Sequence, residues 1–121
     1  MQNLTTKLGE MFASYALEEN GYLTIVREFG FVNYLVNGEE CFIADMYISP
    51  EYRKQRKTLE LLETVNVFAK EKGCRFLTAN TYKEEDKDFE RYTRKVRLMI
   101  DGGFIIKSVV DNNIIWAKDV H

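Results

Sequence analysis

The apolar residues change period several times along the chain, and each change marks an element. Leu4, Leu8, Met11, Phe12 and Tyr15 recur at three- and four-residue spacing, which predicts an amphipathic helix with Asn3 placed to cap its start and Asn20-Gly21 to end it. β-rich residues follow. Tyr22 to Glu28 and Phe31 to Val36 read as strands around Gly30, and Asn37-Gly38 is a hairpin signal leading into a third strand, Glu40 to Ser49. Pro50 has no amide hydrogen to give a sheet, so the meander stops there. Alternation along the third strand sets Ile43, Asp45 and Tyr47 on one face and Ala44, Met46 and Ile48 on the other.

Beyond the proline, Leu59, Leu62, Val65, Phe68 and Ala69 mark one face of a helix from about Lys57 to Lys72, with Gly73 just past its end. Arg75 to Tyr82 is strand-like, and Lys83 to Asp88 is a charged loop. Phe89, Tyr92, Val96, Met99 and Ile100 give a third helical stripe that runs into Gly102-Gly103. Phe104 to Val110 and Ile114 to Val120 flank Asp111-Asn112-Asn113 as a closing hairpin. The order is therefore α, β, β, β, α, β, α, β, β. This is an α/β (α+β) chain, and its strands on either side of the second helix should lie parallel in one sheet. No repeat and no Pro-, Gly- or Ser-rich linker divides it, so residues 1–121 are expected to form one domain.

Composition narrows the chemistry. A chain of 121 residues, 45% hydrophobic and 30% charged, can bury a sizeable core. Its one histidine, His121, stands at the end, where chains usually fray, which argues against a Ser/His/Asp or Cys/His arrangement. Two cysteines, Cys41 and Cys74, cannot complete a four-ligand zinc site. They read as buried free thiols in a reducing compartment, and no metal is expected. A net charge of −2 argues against a general nucleic-acid or anionic-membrane binder. With no long apolar run and no basic-then-apolar leader in Met1 to Lys7, the expected location is the cytoplasm.

Residues Asp45 to Leu62, DMYISPEYRKQRKTLELL, carry a resemblance. A strand ending in Tyr-Ile-Ser-Pro-Glu-Tyr-Arg, a short basic loop and a helix with Leu-Leu resemble the acyl-CoA-binding motif of the GNAT superfamily of CoA-dependent N-acyltransferases. In that motif an Arg or Gln is followed, after two residues, by Gly, any residue, and Gly or Ala, and backbone amides hold the CoA pyrophosphate. Exposed amides at a positive helix end favour an anion on physical grounds alone. The similarity covers about Tyr22 to Val120. It implies a mixed, mostly antiparallel sheet of about six strands flanked by three helices, without the family's usual first strand and one of its N-terminal helices.

By that resemblance Arg53 takes the first motif position, while Arg56 and Thr58 stand where the family has small residues. A helical backbone at Arg56 needs no glycine, so the arginine bears on the space left for pyrophosphate rather than on the turn. The cofactor-binding set implied is Ile48, Arg53, Lys54, Gln55, Arg56, Lys57 and Thr58, with acetyl-CoA as co-substrate. The catalytic candidates are Asp45 as base, on the strand before the motif, and Tyr92 as acid. Met99 occupies the position four residues before Gly103 where the family often has its tyrosine, and Tyr92 lies two turns earlier. A structural hydrogen-bonding role for Asp45 and a core or groove role for Tyr92 stand beside these. Arg91, Arg94, Lys95 and Arg97 are a wet helix face or a further phosphate contact. The function implied is transfer of acetyl from acetyl-CoA to an amine-bearing small molecule or protein, with a second subunit, as in a homodimer, as one way to complete the acceptor pocket. The alternative is an inactive GNAT-fold binding module that engages a protein or nucleic acid through its basic loop and helix.

Overall fold

The computed structural model describes residues 4–82 and 89–121, with side chains from Lys7 onward. The Asn3 cap and the Lys83 to Asp88 loop lie outside the described residues. In chain order the elements are α1 (Leu4–Asn20), β1 (Leu23–Arg27), β2 (Gly30–Asn37), β3 (Glu40–Ile48), α2 (Lys57–Glu71), β4 (Phe76–Tyr82), α3 (Phe89–Asp101), β5 (Ile105–Val110) and β6 (Asn113–Asp119). A single 3-10 turn, Pro50–Tyr52, follows β3. The order matches the pattern of the sequence. Gly21, Gly73 and Gly103 take positive φ after the three helices, where only a residue without Cβ is free of strain.

The six strands form one sheet in the order β1-β2-β3-β4-β6-β5. Every neighbouring pair is antiparallel except β3 and β4, which the α2 crossover makes parallel. That parallel pairing is short. It joins Glu40 to Phe76, Cys41 to Leu77 and Phe42 to Thr78, after which the two strands part. The gap so formed opens toward the end of β3, where the Pro50 turn leads into α2.

The turns differ from expectation by one residue. Asn37 pairs with Glu40, so the β2–β3 loop is Gly38-Glu39, with the positive φ of 62° on its first residue. Asn113 belongs to β6, and the β5–β6 loop is Asp111-Asn112.

A larger correction concerns β3. Its register with β2 runs from Asn33–Asp45 directly to Tyr34–Ile43, which leaves Ala44 as an extra residue. A bulge reverses the alternation. Cys41, Ile43 and Ile48 are buried on one face with Met46 packed beside them, whereas Asp45 and Tyr47 turn to the other. Asp45 therefore does not share a face with Ile43.

The core lies on the first of these faces. Leu61, Leu62, Val65 and Ala69 of α2 and Met99 of α3 pack with Val32, Cys41, Leu77 and Trp116 of the sheet. The two helices are close neighbours: a Cβ on Gly102, just after α3, would stand 3.0 Å from Leu62 Cδ1. α1 packs on the opposite face, over β1 and β2. Phe12 meets Phe31 at 4.7 Å between ring centroids, and a Cβ on Gly9 would come within 2.9 Å of Val26 Cγ1.

The stripe expected to bury α1 does so only in part, through Phe12. Leu8, Met11 and Tyr15 are 54%, 67% and 61% exposed, while Ala16 is buried and Gly9, Phe12 and Ala13 are partly covered. Nor does the chain end fray. The backbone N–H and C=O of His121 are both bonded to the side chain of Asn66 on α2, at 3.1 and 2.8 Å, and its imidazole lies 3.2 Å from Glu63.

Candidate functional site

Everything needed to hold an anion converges where β3 ends and α2 begins. Tyr52 and Arg53 donate backbone hydrogen bonds to Ser49 and Pro50, which closes the turn. Lys54 and Arg56 then adopt left-handed conformations, with φ of 67° and 60°. The expectation of a helical Arg56 is thus corrected: it is the N-cap of α2, at φ 60°, ψ 20°, and no side chain caps the helix there. The helix closes its first bond from Glu60 N–H to the Arg56 carbonyl at 3.2 Å, so the amides of Lys57, Thr58 and Leu59 have no acceptor within the helix. They carry the positive end of its dipole.

A cavity of about 370 Å³ lies against this end. Ile48, Arg53, Lys54 and Thr58 line one side, and Arg91, Arg94, Lys95 and Leu98 of α3 line the other. Among the described residues, five of these eight are cationic and none is acidic. Arg53 is held in place: its Nε donates to the Ile48 carbonyl at 3.0 Å, and its guanidinium lies 5.7 Å from the centroid of the Tyr47 ring. Such a lining suits a phosphorylated ligand, and the amides of α2 suit its pyrophosphate. Beside this lining, β3 and β4 run on without pairing beyond Phe42 and Thr78.

The remaining residues of the motif point elsewhere. Gln55 donates to the Glu51 carbonyl at 3.1 Å, outside the cavity lining. Lys57 pairs with Glu60 at 3.3 Å and lies 4.9 Å from the centroid of the Phe29 ring. Arg56 contributes its backbone conformation to the loop, and its side chain is not part of the lining.

The two acid-base candidates are not brought together. Asp45 is exposed on the α1 side of the sheet, where its Oδ2 accepts from Asn33 Nδ2 at 3.3 Å. Asn33 in turn accepts from Thr24 Oγ1 at 2.6 Å, so a polar row crosses β1, β2 and β3. The basic cavity is on the other side, with the parted strands between. Tyr92 is half-buried on α3 and does not line the cavity, and Met99 is buried in the core. Burial pushes the Cys41 thiol up to about 12 and raises that of Cys74 as well, so both stay protonated and unreactive at neutral pH.

The motif reading left α3 outside its cofactor set. Arg91, Arg94, Lys95 and Leu98 are spaced i, i+3, i+4 and i+7, the signature of a single helix face, and that spacing was the available signal. A second cavity, of about 400 Å³, opens on the sheet face away from α2 and α3. It is lined by charges of both signs, Glu40 and Asp119 with Lys107 and Lys118, and the N-terminal end of no described helix borders it. The smaller cavity is the better anion site.

Comparison with known proteins agrees with this fold. The sequence profile described as the acetyltransferase (GNAT) family matches residues 4–95. No curated sequence matches the chain. Among solved structures, a GNAT-family protein from Desulfovibrio desulfuricans superposes with a TM-score of 0.76 at 17% identity, covering 93% of this chain and 78% of that one. The ribosomal-protein-S18-alanine N-acetyltransferase of Escherichia coli gives 0.63 at 18% identity, covering 92% and 76%. The PaiA N-acetyltransferase of Thermoplasma acidophilum, solved in complex with coenzyme A, gives 0.60 at 17% identity, covering 94% and 71%.

Proposed function

Because this chain belongs to the GNAT acetyltransferase family, we propose that it is an N-acetyltransferase that takes acetyl-CoA as donor and an amine as acceptor. One observation carries the reading: five cationic residues line a cavity against the uncapped end of α2, beside a gap between two parallel strands. In this reading the amides of Lys57, Thr58 and Leu59 and the side chains of Arg53 and Lys54 hold the pyrophosphate. The lips of β3 and β4 align the pantetheine arm, and their backbone N–H groups polarise the thioester carbonyl. In the same reading the amine approaches from the α1 side and Asp45, which accepts a hydrogen bond from Asn33, takes its proton. As the new C–N bond forms the thioester C–S bond breaks, and CoA leaves as a thiolate that takes its proton from water; such direct attack depends chiefly on positioning, so weak acid-base assistance slows the transfer without preventing it.

Calorimetry with acetyl-CoA tests the donor site. Micromolar binding, weakened about ten-fold or more by Arg53→Ala, is expected from the loss of a charge-assisted contact; no binding at millimolar ligand would sink the proposal. Turnover on polyamines and peptides, with Asp45→Asn as the test of the base, addresses the acceptor. Met99, at the position of the family's tyrosine, has no proton to give, which favours a second reading in which the groove binds a phosphorylated partner without turnover. Tight acetyl-CoA binding with no transfer to any amine would decide for that reading.

A further inference from the structure

The sheet face opposite α2 and α3 is only partly covered. Of the described helices α1 alone packs there, over β1 and β2, and the same side of β4, β6 and β5 stands open. Thr78 pairs with Ala117 and Ala117 with Ile105, so the three share that side with Phe76, two residues before Thr78. Ile105 is 70% exposed and Phe76 38%. Strands of seven, seven and six residues, with the start of β3 beside them, span roughly 20 Å each way, on the order of 400 Å² in plan. A largely apolar patch of that extent is on the scale of a protein contact site.

Its charges are placed for a second copy of the chain. Lys107 on β5 and Glu40 at the start of β3 both line the hollow of about 400 Å³ in this face. β4 and β6 lie between them, which sets their backbones three strand spacings apart, roughly 14 Å. Glu40 accepts from the Thr78 hydroxyl, Lys118 is tied to the Gly102 carbonyl at 2.8 Å, and among the described residues Lys107 has no partner. A two-fold axis running along the strands between β4 and β6 reverses the strand order of a facing sheet, and so lays β5 of each copy over β3 of the other. Lys107 then meets Glu40 twice, once in each direction, and Phe76 comes over β6 beside the small side chain of Ala117. We propose that this protein forms a two-fold homodimer through the open face of β4, β6 and β5, closed by reciprocal Lys107–Glu40 pairs. The contact does not depend on the acyl-CoA reading of the basic cavity. A lasting interface buries about 800 Å² per partner, so a patch of roughly half that extent suits a reversible dimer of micromolar dissociation constant.

Sedimentation equilibrium of the full chain tests the idea, with circular dichroism to show that each variant is folded. The unaltered protein is expected to dimerise at micromolar concentration, and Ile105→Glu, which sets a carboxylate in the apolar centre, to be monomeric. Ile100→Glu alters a similarly exposed aliphatic residue on α3 and should leave the dimer intact. Lys107→Glu and Glu40→Lys should each weaken self-association at least about ten-fold, because like charges then face each other. An equimolar mixture of these two variants should dimerise again, since each copy offers the charge that the other lacks. A monomer at the highest soluble concentration, or a dimer that Ile105→Glu leaves intact, would overturn the proposal and leave the face to another partner. Failure of the mixture to recover would overturn the reciprocal pairing.

Discussion

Arg56 shows how much one residue's backbone can weigh. At φ 60° its Cβ crowds the adjoining carbonyl, a strain of roughly 1–2 kcal/mol that glycine escapes. Arg56→Gly is therefore expected to raise stability in urea denaturation by about 1 kcal/mol, after allowing for glycine's greater freedom in the unfolded chain. Arg56→Ala keeps the strain and should show no such gain; if both variants behave alike, the left-handed cap is not where the strain resides. The motif spacing placed Arg56 at the helix start, but spacing carries no information about φ, and the departure from the family's small residue looked like a question of space alone. Asp45 illustrates the same limit. Its residue type marked it as a candidate, yet one inserted residue, Ala44, moved it to the opposite face from Ile43, because strand alternation holds only while the register does.

The elements themselves were largely legible, since glycines, the single proline and changes of apolar period punctuate them. Which face of a helix is buried was harder to read. Of the stripe expected to bury α1, Phe12 reaches the sheet while Leu8, Met11 and Tyr15 stay exposed, and the small residues Gly9, Ala13 and Ala16 complete the contact. Small residues add little to an apolar pattern, but they let two backbones come close, and the packing then follows shape rather than hydrophobic weight. Gly9→Leu is accordingly expected to destabilise the protein by roughly 1–3 kcal/mol through overpacking against Val26. Met11→Gln, at an exposed position, should stay within about 0.5 kcal/mol in the same denaturation assay. A large loss from Met11→Gln would mean that the exposed stripe is covered in solution. α3 is legible as a helix from its stripe between Phe89 and Ile100, and its basic residues as a wet face or a phosphate contact; that Arg91, Arg94 and Lys95, and not Arg97, line the basic cavity depends on how α2 sits beside it.

For the whole molecule, the long-range ties were the least legible part. Asn66 sits among the apolar residues of α2, 2% exposed, and its amide pairs with both backbone groups of His121, 55 positions away. No local pattern announces such a pair. Asn66→Ala removes both partners and should cost roughly 1–3 kcal/mol, read as a lower denaturation midpoint; an unchanged midpoint would show that the last strand is held without this clip. The parting of β3 and β4 is another long-range feature, and it also bears on solubility. An ordinary open sheet ends in two edges, each able to recruit a strand from another chain. This sheet has its two outer edges, β1 and β5, and two more inside it, the lips of β3 and β4 beyond Phe42 and Thr78. The outer edge at β5 is broken by a bulge at Lys107, a common guard against pairing. The inner edges are guarded by convergence, because a flat strand would have to enter between two strands that meet at Phe42 and Thr78. A slender, flexible chain can pass where a second protein cannot, so the backbone groups that suit a ligand stay out of reach of aggregation.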